Sequence, residues 1–319
     1  MQKKFVVIGG MYRSGTTLFE TIVGSHSRIS IPPRDFPFVK FFEDGKNNDQ
    51  IYSALESMGI WKRYEEEIER KAADGSHRQG NFKDYFAKSP GKVFVDILTD
   101  YAVKIQKEIP GVKCPQNEFY FETLKSWLSD FDLKFIHLVR NPFDMVASFQ
   151  NASYYSENIK NNFDNIGVHS RNWYRSVSLG LARSFFSPRH YYFLKYEDLC
   201  EHPSRITRKV CDFLEVDFEE ERMLNRHDYA YYSSNTSFEG QPKVADNEFI
   251  KPAKSRKNHL AEKEIKAIGR ICGELARVVG YEDKDLNPSR PEEFKYAGNG
   301  FKGSIRQAGK SLLSVLKRQ

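Results

Sequence analysis

Gly9-Gly-Met-Tyr-Arg-Ser-Gly-Thr-Thr-Leu18 follows directly on the apolar run Phe5-Val-Val-Ile8. The order is strand, phosphate-sized loop, helix. A helix that begins near Thr16 leaves its first amide N–H groups without intrahelical partners, pointing at whatever sits in the loop. Together with the positive end of the helix dipole and the hydroxyls of Ser14, Thr16 and Thr17, they make a pocket for a dianion such as phosphate or sulfate. Gly15 lets the backbone come close, and Arg13 places a cation inside the loop. Many Gly/Ser/Thr-rich turns only cap a helix. Here strand, loop, cation and paired threonines occur in the order an anion site needs.

From Gly10 the spacing is G-x-x-x-x-G, but the Lys-Ser/Thr pair that continues a kinase or ATPase loop is replaced by Thr16-Thr17. Such a loop suits one phosphate better than a β,γ-phosphate pair with its Mg²⁺. A second segment narrows the choice. Lys134-Phe-Ile-His-Leu-Val139 has the pattern of a short buried strand, and Arg140-Asn-Pro-Phe-Asp-Met-Val-Ala-Ser148 follows at once. Asn141 suits the N-cap, Pro142 the first helical position and Asp144 the first turn, so capping accounts for all three. Arg140 and Ser148 have no such explanation, and their placement suits two ligands of one phosphate group.

At these residues the chain resembles the sulfotransferases that use 3′-phosphoadenosine 5′-phosphosulfate (PAPS). Gly10-Met-Tyr-Arg-Ser-Gly-Thr-Thr17-Leu is similar to their 5′-phosphosulfate loop, and Arg140 followed by Ser148 is similar to their 3′-phosphate motif. Lys195-Tyr-Glu-Asp-Leu199 resembles a segment they carry near the adenosine, which brings in Tyr196. The resemblance implies an α/β, P-loop-like three-layer fold with a mainly parallel central sheet flanked by helices. It also implies a PAPS donor, 3′-phosphoadenosine 5′-phosphate (PAP) as product, no metal, and sulfuryl transfer to a hydroxyl or amine. Tyrosylprotein and many bacterial carbohydrate sulfotransferases resemble this chain in having arginine at the position of Arg13, which implies a carbohydrate or glycoconjugate hydroxyl as acceptor. Arginine stays protonated and would act as a fixed electrostatic clamp.

The remaining roles follow from the same resemblance. Lys113, in Gly111-Val-Lys-Cys-Pro115, resembles a Lys-x-Pro element whose lysine neutralises the sulfuryl oxygens; a solvated lysine before a turn is the other reading. The family's acidic base maps onto Ile31-Pro-Pro-Arg-Asp35-Phe-Pro37, where Arg34 stands at the usual glutamate position and Asp35 one step later. Asp35 is therefore the expected base, with Arg34 as its expected ion-pair partner, and His137 or His169 as the alternative. Ser255, Arg256 and Lys257, ahead of a last long helix over 261–279, resemble a basic loop that closes on the donor's phosphates.

The chain has 319 residues, 39% of them apolar, enough for one large α/β core. The expected sulfotransferase domain covers 1–286, with 44–90 as a helical insertion that is either a lid or a packed layer. Residues 151–175, rich in aromatics and amides, suit either an acceptor surface or a polar-rimmed helix. Four cysteines without short paired spacing imply free thiols, and no leader or apolar span precedes the first strand, so the expected location is the cytoplasm. With 49 basic and 43 acidic residues the surface is mixed, and no nucleic-acid motif is present. The basic tail 287–319 carries an amphipathic stretch over 301–319 that suits either an anionic membrane surface or docking on its own domain or a second copy in a homo-oligomer. Two other functions fit the loop: a kinase using ATP, and a nucleotide-binding protein without turnover.

Overall fold

A computed structural model of the chain describes residues 2–32, 34–71, 82–150, 163–225, 250 and 255–286. In chain order the strands are β1 (Lys4–Gly10), β2 (Ile29–Ser30), β3 (Ile109–Lys113), β4 (Asp132–Val139) and β5 (Tyr191–Lys195). The helices are α1 (Thr16–Gly24), α2 (Phe38–Glu43), α3 (Asn48–Ser57), α4 (Ile60–Lys71), α5 (Pro90–Lys104), α6 (Phe121–Trp127), α7 (Pro142–Gln150), α8 (Phe163–Phe186), α9 (Tyr196–Glu201), α10 (Pro203–Leu214), α11 (Glu220–Leu224) and α12 (Glu262–Val278). The described residues form two compact units. One holds those up to Val139, those from Arg189 to Asn225, and Ile250; the other holds those of Arg140–Pro188 and 255–286.

In the first unit the strands lie in the order β2-β3-β1-β4-β5, and every pair is parallel. The period-2 alternation of β1 sets two cores. Phe5 and Val7 join Phe135, Phe94 and Tyr191 on one face. Val6 and Ile8 join Ile136, Leu138, Phe19 and Ile22 of α1, and Val210 of α10 on the other. This is the three-layer parallel arrangement that the sequence implied. The chain leaves β1 toward β3 on one side and β4 on the other, so the carboxyl end of β1 marks the crevice where such sheets bind ligands.

The described parts of 44–90 pack in the first of these cores. Ile51, Leu55, Trp61, Tyr64, Phe82 and Phe86 share one cluster with Phe5 and Phe94, and the Trp61 and Phe82 rings stack with centroids 4.8 Å apart. Asn47 caps α3 by accepting from the Gln50 amide at 3.0 Å, which explains where that helix starts.

In the second unit α12 packs along α8, and Cys272 donates to the Ser170 carbonyl at 3.4 Å. The turn at 283–286 crosses α12 so closely that a Cβ on Gly269 or Gly273 would overlap the carbonyl oxygens of Asp285 and Leu286. The tail 287–319 and residues 151–162 lie outside the described residues. All four cysteines are buried and free. No helix among the described residues is long and apolar enough to cross a membrane.

Candidate active site

The loop after β1 is held at both ends. Gly10 has φ 131°, and a Cβ there would overlap the Leu138 carbonyl oxygen of the neighbouring strand. Its amide donates to Glu118 Oε2 at 2.8 Å, a carboxylate with no solvent exposure, and its carbonyl accepts from the Gln116 amide at 2.8 Å. At the other end Gly15 has φ 88°, and a Cβ there would fall inside the Tyr196 ring at the start of α9. Between them Arg13 has φ 68°, a conformation rare outside glycine.

Helix α1 begins at Thr16 as expected. No side chain caps it, and no acidic residue lies in its first turn. Ser14 Oγ is buried without a hydrogen-bond partner. A buried hydroxyl left unpaired costs roughly 1–3 kcal/mol. Beside an uncapped helix N-terminus, that orphan fits a loop whose partner is an anion. Thr16 is buried and Thr17 half-buried alongside it.

Lys113 is the last residue of β3, paired in register with Ile8 of β1. It is not a solvated lysine: its side chain is 2% exposed and lies between two carboxylates, Glu20 Oε2 at 2.8 Å and Asp35 Oδ1. Burial by itself would push the ammonium down, but the two carboxylates outweigh it and hold Lys113 well above the ordinary lysine range. Glu20 is equally buried, and its desolvation raises it against the pull of Lys113. Asp35 is the open member of the three, its side chain 39% exposed. The ion-pair partner of Asp35 is thus Lys113 rather than the expected Arg34. Arg34 instead gives its backbone N–H to Glu20 Oε1 at 3.1 Å.

In the second unit Arg140 comes directly after the last residue of β4, as expected, and is buried. Its carbonyl accepts from Trp173 Nε1 at 2.8 Å, so Trp173, itself fully buried, anchors the Arg140 backbone and is not available for stacking on a sugar. Asn141 Oδ1 accepts from the Phe143 amide at 3.0 Å, the expected cap, and Ser148 lies buried two turns into α7. Asp144 does more than complement the helix dipole. Its Oδ1 accepts from Ser255 Oγ at 3.2 Å and from the Arg256 amide at 2.6 Å, tying the expected basic loop to α7. Lys257 of that loop is engaged by Asp283 and Asp285 and lies 4.7 Å from the Phe143 ring centroid.

The two histidines differ. His137 is fully buried in β4, with Nδ1 2.8 Å from the Tyr191 hydroxyl. His169 on α8 is half-buried, its ring centroid 3.7 Å from that of Phe149, and burial pushes its pKa down to about 4.

Arg13, Ser14, Gly15, Thr16, Thr17, Asp35, Lys113 and Tyr196 thus belong to the first unit, and Arg140, Ser148, Ser255, Arg256 and Lys257 to the second. Glu20, Glu118, Asp144 and Trp173 are the partners that sequence reasoning did not assign. Glu20 was detectable as the one acid inside the apolar run of α1; Asp144 reads from sequence only as a first-turn acid, and Glu118 and Trp173 carry no local signal.

An uncapped helix N-terminus after the central strand of a parallel sheet, with a cation and an unpaired serine in the turn, defines an anion-binding α/β protein. The sulfotransferase family model matches residues 6–220, and the chain belongs to that family. An uncharacterized protein of Aquifex aeolicus strain VF5 is 28% identical over 228 residues, 68% of this chain but 26% of that protein, so the chain spans about a quarter of its relative's length. Among solved structures, the sulfotransferase domain of the Synechococcus PCC 7002 olefin synthase superposes with a TM-score of 0.54 at 19% identity, covering 89% of this chain and 97% of the domain. The sulfotransferase domain of the curacin biosynthetic pathway gives 0.53 at 16% identity, covering 88% and 98%. Likeness at that level of identity speaks for the fold.

Proposed function

We propose that the chain transfers the sulfuryl group of PAPS to a hydroxyl of a carbohydrate or glycoconjugate and releases PAP, without a metal. The observation that carries the reading is the Lys113–Asp35 pair at the carboxyl end of β3, with its lysine buried and its carboxylate open. In this reading Ser14, Gly15, Thr16, Thr17 and the N-terminus of α1 hold the 5′-phosphosulfate. Arg140 and Ser148 hold the 3′-phosphate, with Tyr196, Ser255, Arg256 and Lys257 completing the donor site.

In the transfer, the acceptor oxygen forms a bond to sulfur as the bond from sulfur to the bridging phosphate oxygen breaks. The acceptor proton passes to Asp35, and the electron pair of the broken bond stays on PAP, where Arg13 stabilises the charge. Lys113 holds the Asp35 carboxylate in place while it is ionised. As Asp35 takes the proton, Lys113 stays paired with Glu20, and its charge offsets that of the sulfuryl oxygens. The arginine-type loop favours a carbohydrate hydroxyl as acceptor. Free thiols favour the cytoplasm, with residues 301–319 as a contact to a membrane surface or to a second copy.

Calorimetric titration with PAP in the presence of a chelator tests the donor site. Micromolar binding, weakened about 10-fold or more in Arg140→Ala through loss of a charged hydrogen bond, is the expected result. Asp35→Asn keeps that binding and abolishes transfer from PAPS to a panel of saccharides. An intact protein that does not bind PAP refutes the reading.

A further inference from the structure

Glu20 stands where a carboxylate is costly. It is 2% exposed on α1 between Phe19 and Ile22, both fully buried, and an apolar residue would fill that place without desolvating a charge. Its two oxygens hold two different parts of the site. Oε2 lies 2.8 Å from Lys113 Nζ, and Oε1 accepts the Arg34 amide at 3.1 Å. Arg34 has φ 76°, a left-handed conformation that a non-glycine residue keeps only when its surroundings impose it, and the next residue is Asp35. The third link of the ring is the Lys113–Asp35 pair, backed by the Phe36 amide donating to the Lys113 carbonyl at 3.3 Å.

We propose that Glu20 is a positioning residue for sulfuryl transfer: one carboxylate fixes both the Lys113 ammonium and the Arg34 corner, and so sets where the Asp35 carboxylate stands. The inference rests on the reading of Asp35 as the base. Glu20 itself is sealed from solvent at 2% exposure, so the role is one of positioning rather than of contact with a ligand. It lies one helical turn after Thr16, so the helix whose first turn faces the phosphosulfate also carries the anchor of the base, and the two distances are set by one rigid element. A purely structural tie between α1 and β3 would need only Oε2; the second bond, to the corner that carries Asp35, is what a positioning role adds.

Glu20→Gln separates the two bonds, because its amide oxygen still accepts from Arg34 while the charge facing Lys113 is gone. Three measurements on the full chain decide the matter: PAP calorimetry, kcat and KM for PAP release from PAPS with water or a saccharide as acceptor, and competitive acetic anhydride labelling of lysines read by mass spectrometry. The expected result is PAP affinity and PAPS KM within about 2-fold of wild type, kcat lowered about 10-fold or more by misplacement of the base, and Lys113 labelling raised several-fold with other lysines unchanged. Glu20→Asp, which keeps the charge on a shorter arm, recovers part of both kcat and Lys113 protection. If Glu20→Gln leaves kcat and Lys113 labelling unchanged, or if kcat, PAP affinity and far-ultraviolet circular dichroism fall together in both variants, the inference is overturned. A wild-type protein that neither binds PAP nor releases it from PAPS would instead sink the functional reading, and Lys113 labelling would still report whether Glu20 holds its lysine.

Discussion

Gly15 and Tyr196 form a test of how the loop is built. Gly15→Ala meets two separate costs. At φ 88° an alanine is strained by about 1–2 kcal/mol, because its Cβ crowds its own backbone. In addition the new methyl falls inside the Tyr196 ring, overlapping Cδ2 and Cε2 with Cγ at 3.2 Å, and the ring must move. Overpacking of that kind costs about 1–3 kcal/mol. The single variant is therefore destabilised by about 2–5 kcal/mol. In a Tyr196→Ala background the second cost vanishes and only the backbone term remains. Urea unfolding of the wild type, both single variants and the double variant gives the coupling between the two sites. The expected coupling is about 1–3 kcal/mol in favour of the double variant, with PAP affinity following the same order. Costs that add to within about 0.5 kcal/mol would refute the account that the ring and the glycine share one space.

Other expectations concern the supports around the site. Trp173→Phe removes the donor to the buried Arg140 carbonyl and is expected to cost about 1–3 kcal/mol in urea unfolding and to weaken PAP binding; unchanged affinity would show that the Arg140 backbone needs no anchor. Lys107 Nζ donates to the carbonyls of Gly24, His26 and Ile29 at 2.6, 2.9 and 2.8 Å, closing the end of α1, so Lys107→Met should cost about 3 kcal/mol or more, and a loss below about 1 would count against it. His26 is fully buried, with Nδ1 accepting from the Arg28 amide at 3.0 Å and Nε2 donating to the Asp217 carbonyl at 2.9 Å. Burial holds its pKa below the usual imidazole range, so below about pH 6.5 the unfolded chain takes up a proton that the folded one refuses. Its share of stability is complete above that pH and is lost as pH falls through the folded value. His26→Gln should flatten that part of the acid limb, and an unchanged slope would refute the assignment.

What the sequence disclosed follows from range. The strand, loop and helix over 5–18 and the strand and helix over 134–148 are local patterns, set by alternation, caps and a proline at the first helical position, and the structure reproduces them with α1 starting at Thr16 and α7 at Pro142. The helix expected over 261–279 runs from Glu262 to Val278. The partners of those elements are not local. Lys113 and Glu20 are 93 positions apart in sequence and meet only because β3 pairs beside β1 while α1 packs back over it. No spacing rule carries that, which is why Arg34, the neighbour in sequence, was expected where Lys113, the neighbour in space, pairs with Asp35. Asp144 reads as an ordinary first-turn acid until the fold brings the Ser255–Arg256 backbone to it.

The charge balance of the ring formed by Glu20, Lys113 and Asp35 bears on the role proposed for Asp35. One ammonium cannot neutralise two carboxylates, so Glu20, Lys113 and Asp35 together carry one negative charge when both acids are ionised. Glu20 is sealed at 2% exposure and fixed by its second bond to Arg34, whereas Asp35 is 39% exposed. The excess charge is therefore best carried by the member that water and an acceptor can reach. Glu20 gives Lys113 a sealed counter-ion of its own at 2.8 Å, so the lysine has a partner besides the open carboxylate. An isolated Lys–Asp pair would leave a buried lysine without a counter-ion whenever the aspartate turned to another partner. The second carboxylate thus frees the open one for the proposed role of base while its lysine stays paired.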